Sequence, residues 1–422
     1  MVDKDYFKGK KILVVGLGRS GRASSSLLLN LGAKVFITEK DINEKLKEIA
    51  LQFKSKGVEV ELGRHTKDFL KGKDLVVLSP GVDDRNLIVE EAERMGIPII
   101  SEIELAFMVC PAKIIAVSGT NGKTTVTSLI GRCLEEANKT VYVCGNIGIP
   151  FSSLVLQMKK DDFVSLEISS FQLERIVNFK PYISVLLNFS PDHLDRYRNL
   201  EEYLEAKKRL FLNQDSQDFA VLNYDDPYIR EIAKIVKAKV VFFRNNDRIN
   251  QNFSAVEKVA QILGIDKEKI DNVFSNFKGI EHRLEYIGEF KGRIFINDSK
   301  ATNVESTIWA LDNLNPPIIL IAGGRNKGLN FEKIKGKILE KVKLMVLIGE
   351  SKEILRKEFK DIVKIKEADS LKEAVEIAFN QSHPKDTILL SPMCASFDMF
   401  ANYEERGNIF KQIVKDLTSQ NA

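Results

Sequence analysis

Two glycine-rich turns in this chain could hold phosphate groups. In IIAVSGTNGKTTVTSLI an apolar run passes into Gly119, Thr120, Asn121, Gly122, Lys123, Thr124 and Thr125, and then into a helical pattern. Glycines let backbone amides wrap a polyphosphate, and a helix N-terminus adds positive potential. The Lys123 ammonium suits the outer phosphates and the Thr124 hydroxyl suits Mg²⁺. The loop is shorter than the usual GxxxxGK[ST], because Val117 stands at the first glycine position. It still predicts a nucleoside triphosphate site. The second turn, ILVVGLGRSGRASS, carries GxGxxG at Gly16, Gly18 and Gly21. Taken alone it favours NAD, with Glu39 near where a ribose-binding acid is wanted, over the alternative of a uridine diphosphate group on the same helix N-terminus. A separate triphosphate loop in the same chain favours the reading without redox chemistry.

Further polar residues fall where apolar runs end. FVSLEISSFQLE places Glu167 downstream of the phosphate loop, where a carboxylate could hold Mg²⁺ together with Thr124. ISVLLNFSPDHLDRYRN ends a run at Asn188 and sets His193 between Asp192 and Asp195, as a metal or substrate contact or simply as a satisfied core histidine. Lys207 lies on the following amphipathic stretch, where a surface lysine is the default. Later, Asp298, Ser299 and Lys300, then Gly323, Gly324, Arg325 and Lys327, then Ser391, Cys394, Ser396 and Tyr403 form three more polar run ends. Small and basic residues there suit carboxylates or phosphates.

The elements that position these residues are short Val/Ile/Leu-rich runs alternating with amphipathic stretches, among them KILVVG, IIAVSG, FVSLEIS, RIFIN, IILIAGG and TILLSP. Continuous apolar runs at this spacing predict parallel strands covered on both faces, hence an α/β chain. In such sheets ligands sit beyond the carboxyl ends of strands. With 422 residues the chain exceeds a single core. Breaks after GIPII and near KGIEHRLE give three expected domains, at 1–100, 101–279 and 280–422. The four cysteines are scattered, which excludes a metal knuckle or a disulfide framework. Acids and bases are interleaved at a net charge of +4, which argues against nucleic acid as a partner. No apolar run is long enough for membrane insertion, and MVDKDYFKGKK lacks a signal-peptide core, so the cytoplasm is the expected location.

In order along the chain, GLGRSG, SGTNGKTT, GNIG, LEISSFQLE, SPDHLDRY, EAKKRLF, EHRLE, INDSKATN, AGGRNKG and SPMCASFDMF resemble the Mur ligase family over nearly the whole length. The resemblance implies an N-terminal Rossmann-like domain, a central P-loop NTPase-like parallel sheet and a C-terminal Rossmann-like domain. It implies an ATP-dependent ligase, with Mg²⁺, that adds D-glutamate to UDP-N-acetylmuramoyl-L-alanine through an acyl phosphate. By the same resemblance Gly119 to Thr125, Asn252, Arg283, Asp298 and Lys300 would contact ATP. Thr124, Glu167, His193 and a carbamylated Lys207 would serve metal, and Lys123, His193, Lys207 and Lys300 would be catalytic. Gly18, Arg19, Ser20, Lys40, Ser79, Gly81, Asn146, Ser169 and Gln172 would hold the UDP substrate; Lys327, Ser396 and Phe397 would hold D-glutamate. A monomer is expected. Two departures stand out: Ala255 where relatives tend to carry a second asparagine near adenine, and Thr38 with Glu39 in place of the more usual acid-then-hydroxyl pair near uracil. Other members of the family, folylpolyglutamate synthase and a nicotinamide-dependent oxidoreductase are the competing readings.

Overall fold

A computed structural model describes residues 4–419 except 84, 147, 193–195, 246–250, 278 and 326–330. Three sheets follow one another along the chain. The first joins β1 (Lys11–Val15), β2 (Lys34–Glu39), β3 (Glu59–Leu62), β4 (Leu75–Leu78) and β5 (Ile99–Ser101) in the order β3-β2-β1-β4-β5, all parallel. The order reverses between β1 and β4, the kind of switch point beyond which open α/β sheets take their ligands. β1 and β4 are buried nearly throughout, as their unbroken apolar runs require.

The second sheet joins β6 (Lys113–Ser118), β7 (Val141–Gly145), β8 (Phe163–Glu167), β9 (Ile183–Leu186), β10 (Phe219–Asn223) and β11 (Lys239–Phe243) in the order β11-β10-β9-β6-β8-β7, again all parallel. Its core packs Ile115, Val117, Val185 and Val221 against the helices Lys123–Glu136 and Gln251–Ile262. The third sheet joins β12 (Glu285–Phe290), β13 (Arg293–Asn297), β14 (Ile318–Gly323), β15 (Val342–Ile348), β16 (Lys364–Glu367) and β17 (Thr387–Leu390) in the order β12-β13-β17-β14-β15-β16. Among the described residues only its β12–β13 hairpin is antiparallel.

The chain up to Phe189 and Leu200–Phe277 form one compact unit, which holds the first two sheets. The third sheet forms a second unit with the segment Ser190–Asn199, whose Asp192 accepts a hydrogen bond from the Asn303 side chain at 3.0 Å. Among the described residues no helix is long and apolar enough to cross a membrane. All four cysteines are buried single thiols, and burial pushes Cys110 up to about 11 and Cys133 up to about 12.

Candidate active site

At the end of β6 the chain turns through Gly119 (φ 149°) and Gly122 (φ 84°), conformations that L side chains rarely adopt, into the helix Lys123–Glu136. Asn188, just past β9, fastens this loop. Its carbonyl accepts from the Thr120 amide at 3.1 Å, its Oδ1 accepts from the Asn121 amide at 2.8 Å, and its Nδ2 donates to the Asn121 carbonyl at 3.1 Å. The Lys123 ammonium donates to the carbonyls of Gly119 and Thr120, both at 2.8 Å, so it lies over the loop. Asn252 also reaches the loop: a Cβ built on Gly122 would come within 2.4 Å of its Oδ1. Thr124 and Thr125 are buried in the first helical turn.

Glu167 closes β8 in register with Val117 on β6, two residues before Gly119. It is 2% exposed, and its Oε1 accepts from the Asn146 side chain at 2.9 Å. Its Oε2 is buried with no hydrogen-bond partner among the described residues. A buried, half-satisfied carboxylate beside a phosphate loop fits a hard cation, since such a group is otherwise costly. Among the described residues no three His, Cys, Asp or Glu side chains cluster as a metal site. Mg²⁺ usually takes only one or two carboxylates and finds the rest of its ligands in phosphates and water. Lys207, expected at the surface by its type, is instead 1% exposed, with its ammonium 4.7 Å from the centre of the Tyr203 ring. The Tyr203 hydroxyl lies 3.4 Å from that of Thr120, so one side chain of helix Leu200–Lys208 meets both Lys207 and the loop. Ser169 and Gln172 cap a single helical turn reciprocally, and Gln172 is buried there. His193 lies outside the described residues.

Around the first sheet, Gly16 turns with φ 96°, and a Cβ on Gly21 would stand 1.9 Å from the Gly16 carbonyl oxygen. Gly18 precedes the helix Arg19–Asn30, with Arg19 and Ser20 in its first turn, and Ser79 and Gly81 follow β4 at the same end of the sheet. Arg19 donates to the Gly148 carbonyl at 3.4 Å, which links this turn to the GNIG loop of Asn146. Lys40 follows β2. Both Glu39 oxygens are engaged by backbone amides, of Leu17 at 2.7 Å and of Asp41 at 3.1 Å. The acid that an NAD site would use on ribose therefore serves the turn itself.

In the second unit β13 ends in Asp298, Ser299 and Lys300. Asp298 is buried; it accepts from the Ser391 hydroxyl at 2.8 Å and the Leu284 amide at 3.2 Å. Burial pushes its carboxyl up to about 7 against the opposing pull of Arg283. Arg283 lies 5.9 Å from the Trp309 ring centre. Lys300 donates to the Tyr403 hydroxyl at 2.7 Å. Ser396 is buried after β17, whereas Phe397 is 62% exposed. Lys327 lies outside the described residues.

Three family models account for most of the chain: a MurD-like N-terminal domain over residues 10–101, the Mur ligase middle domain over 117–292 and the Mur ligase glutamate ligase domain over 282–394. The chain belongs to the Mur ligase family. Curated relatives named UDP-N-acetylmuramoylalanine--D-glutamate ligase include that of Caldanaerobacter subterraneus subsp. tengcongensis, 40% identical across 97% of this chain and 99% of the relative. That of Chloroherpeton thalassium is 37% identical across 98% and 99%. Among solved structures, UDP-N-acetylmuramate-alanine ligase MurC of Thermotoga maritima matches with a TM-score of 0.62 at 17% identity, covering 96% of this chain and 99% of that one. A pseudomurein peptide ligase type C of Methanothermus fervidus matches at 0.60 and 18%, covering 97% and 100%. These two share the fold.

Several further residues shape this Mur ligase. Asn188, which in sequence merely ends an apolar run, holds the phosphate loop. Arg406 is fully buried in the last helix, Tyr403–Ser419; it donates to the Ser299 hydroxyl at 3.0 Å, the Ser299 carbonyl at 2.8 Å and the Cys394 carbonyl at 3.3 Å. Burial draws its guanidinium down to about 10. His282 is buried against Asn297, with a nitrogen contact of 2.9 Å, and a Cβ on Gly407 would strike its ring at 2.2 Å. The signal that could have found Arg406 is its spacing: with Gly407, Phe410 and Val414 it falls on one buried stripe.

Proposed function

We propose that this chain joins D-glutamate to UDP-N-acetylmuramoyl-L-alanine, converting ATP to ADP and phosphate, in the cytoplasm and as a monomer. The observation that carries the chemistry is the phosphate loop with the bare, buried Glu167 oxygen one strand away. The choice of substrates rests on the names of the curated relatives. A carboxylate is a poor electrophile. Transfer of the γ-phosphoryl group to its oxygen releases ADP and makes phosphate the leaving group. The D-glutamate amine then forms the C–N bond, the C–O bond to phosphate breaks, and the amine proton is released.

In this reading Gly119 to Thr125 and Asn252 grip the nucleotide, and Lys123 exchanges its loop carbonyls for phosphate oxygens as charge moves. Thr124 and Glu167, with His193 and carbamylated Lys207, would hold Mg²⁺, which neutralises crowded phosphate charge when bound. Carbamylation answers a physical problem, because a buried ammonium beside a cation site repels the cation, whereas a carbamate ligates it. Arg283, Asp298 and Lys300 serve the nucleotide from the third sheet. The turn at Gly18, Arg19 and Ser20, with Lys40, Ser79, Gly81 and Asn146, serves the UDP end of the other substrate. Ser169 and Gln172 also hold the UDP substrate, and Lys327, Ser396 and Phe397 serve D-glutamate.

The test is phosphate release by the purified chain with ATP, UDP-N-acetylmuramoyl-L-alanine and a panel of amino acids. Turnover confined to D-glutamate is expected. Equal turnover with L-alanine or L-lysine would move the chain to another branch of the family. Micromolar NADH binding without any response to ATP would replace ligation by redox chemistry.

A further inference from the structure

Lysine carries its charge on a flexible four-carbon stem, so a lysine that must meet phosphate at one place needs something to hold its head. Lys300 is fixed at both ends. Its amide donates to the His282 carbonyl at 3.0 Å, and its ammonium donates to the Tyr403 hydroxyl at 2.7 Å. Tyr403 is itself fixed: its carbonyl accepts from the Ser299 hydroxyl at 2.8 Å, and its ring stands edge-on to His282 with centroids 6.2 Å apart. One turn further along the same helix, Arg406 binds the Ser299 carbonyl and hydroxyl. The first turn of the last helix thus holds both Ser299 and Lys300.

We propose that Tyr403 is the positioning residue of Lys300. It orients the ammonium for the nucleotide phosphates without neutralising it. The choice of a phenol matters. A carboxylate at this place would bind the ammonium more tightly but would cancel the charge that attracts phosphate. A neutral hydroxyl accepts one hydrogen bond, leaves the full positive charge, and engages one of the three donors that an ammonium has. Phenylalanine would keep the ring against His282, its centre 4.4 Å from the Lys300 ammonium, and the backbone acceptor for Ser299, but it would lose the directional hydrogen bond that aims the lysine.

The inference rests on the proposed role of Lys300 toward ATP, and a double-mutant cycle on the full chain separates the two. Tyr403→Phe is expected to lower kcat/KM for ATP on the order of tenfold, the size of a hydrogen bond to a charged group. The KM for the UDP substrate and the melting temperature should stay at parental values. Lys300→Ala should lower kcat/KM for ATP further, and adding Tyr403→Phe to it should cost less than twofold more, because the hydroxyl then has no lysine to direct. Parental kcat/KM in Tyr403→Phe overturns the inference alone. So do fully additive losses in the double variant, which would mean a structural role independent of Lys300. Parental kcat/KM in Lys300→Ala overturns the inference together with the role of Lys300.

Discussion

Asp298 gives the second unit a pH dependence opposite in sign to that of an ordinary paired carboxylate. Burial raises its carboxyl from the usual 3.8 to about 7, so between those values the folded chain binds a proton that the unfolded chain has lost. Stability from this group is therefore full below about pH 4 and falls as pH rises, by about 4 kcal/mol once pH has passed about 7. Asp298→Asn removes the titration with little change of shape. The amide oxygen can accept from the Leu284 amide, and the NH₂ can donate to Ser391, whose hydroxyl has Thr307 as a second partner at 2.8 Å. The assay is thermal unfolding of parent and variant from pH 4 to pH 8. The variant should gain on the parent as pH rises, by on the order of 10 °C in the transition of this unit. Parallel curves would refute the reasoning, because they would mean that Asp298 is ionised in the fold at pH 4 as it is in water.

Three further outcomes follow from the same geometry. Glu167→Gln keeps the contact with Asn146 but removes the charge, so the Mg²⁺ concentration for half-maximal phosphate release should rise at least tenfold, and an unchanged requirement would take Glu167 out of the cation site. Gly21→Ala drives a methyl group to 1.9 Å from the Gly16 carbonyl, which must distort the turn; the KM for the UDP substrate should rise well before that for ATP, as initial rates would show. Lys207→Ala should abolish turnover, with part of it restored by short-chain carboxylates that take the place of the carbamate, and full activity without them would remove Lys207 from the mechanism.

The central strands of all three sheets were legible because burial on both faces writes an unbroken apolar run. The outer strands were not. Glu59–Leu62, Lys239–Phe243, Glu285–Phe290 and Lys364–Glu367 are sheet edges, mostly half-buried or exposed, and their sequences EVEL, KVVFF, EYIGEF and KIKE carry charge accordingly. The two phosphate turns were readable because each needs glycine at a strained or crowded backbone position. For Lys207 residue type points to the surface and spacing to the interior: it lies four residues after Tyr203 and three after Leu204, on the buried stripe of its helix. Asn188 and Tyr403 could not be read as partners of Asn121 and Lys300, since those contacts join residues far apart in the chain.

Asn188 has a consequence for recognition. By bonding the main chain of Thr120 and Asn121 it moulds the cradle during folding, so the entropy of ordering those residues is already spent when a nucleotide arrives. Affinity for a triphosphate then draws on nearly the whole strength of its contacts. An isolated peptide with the same glycines, free to wander, would forfeit most of that strength in becoming still.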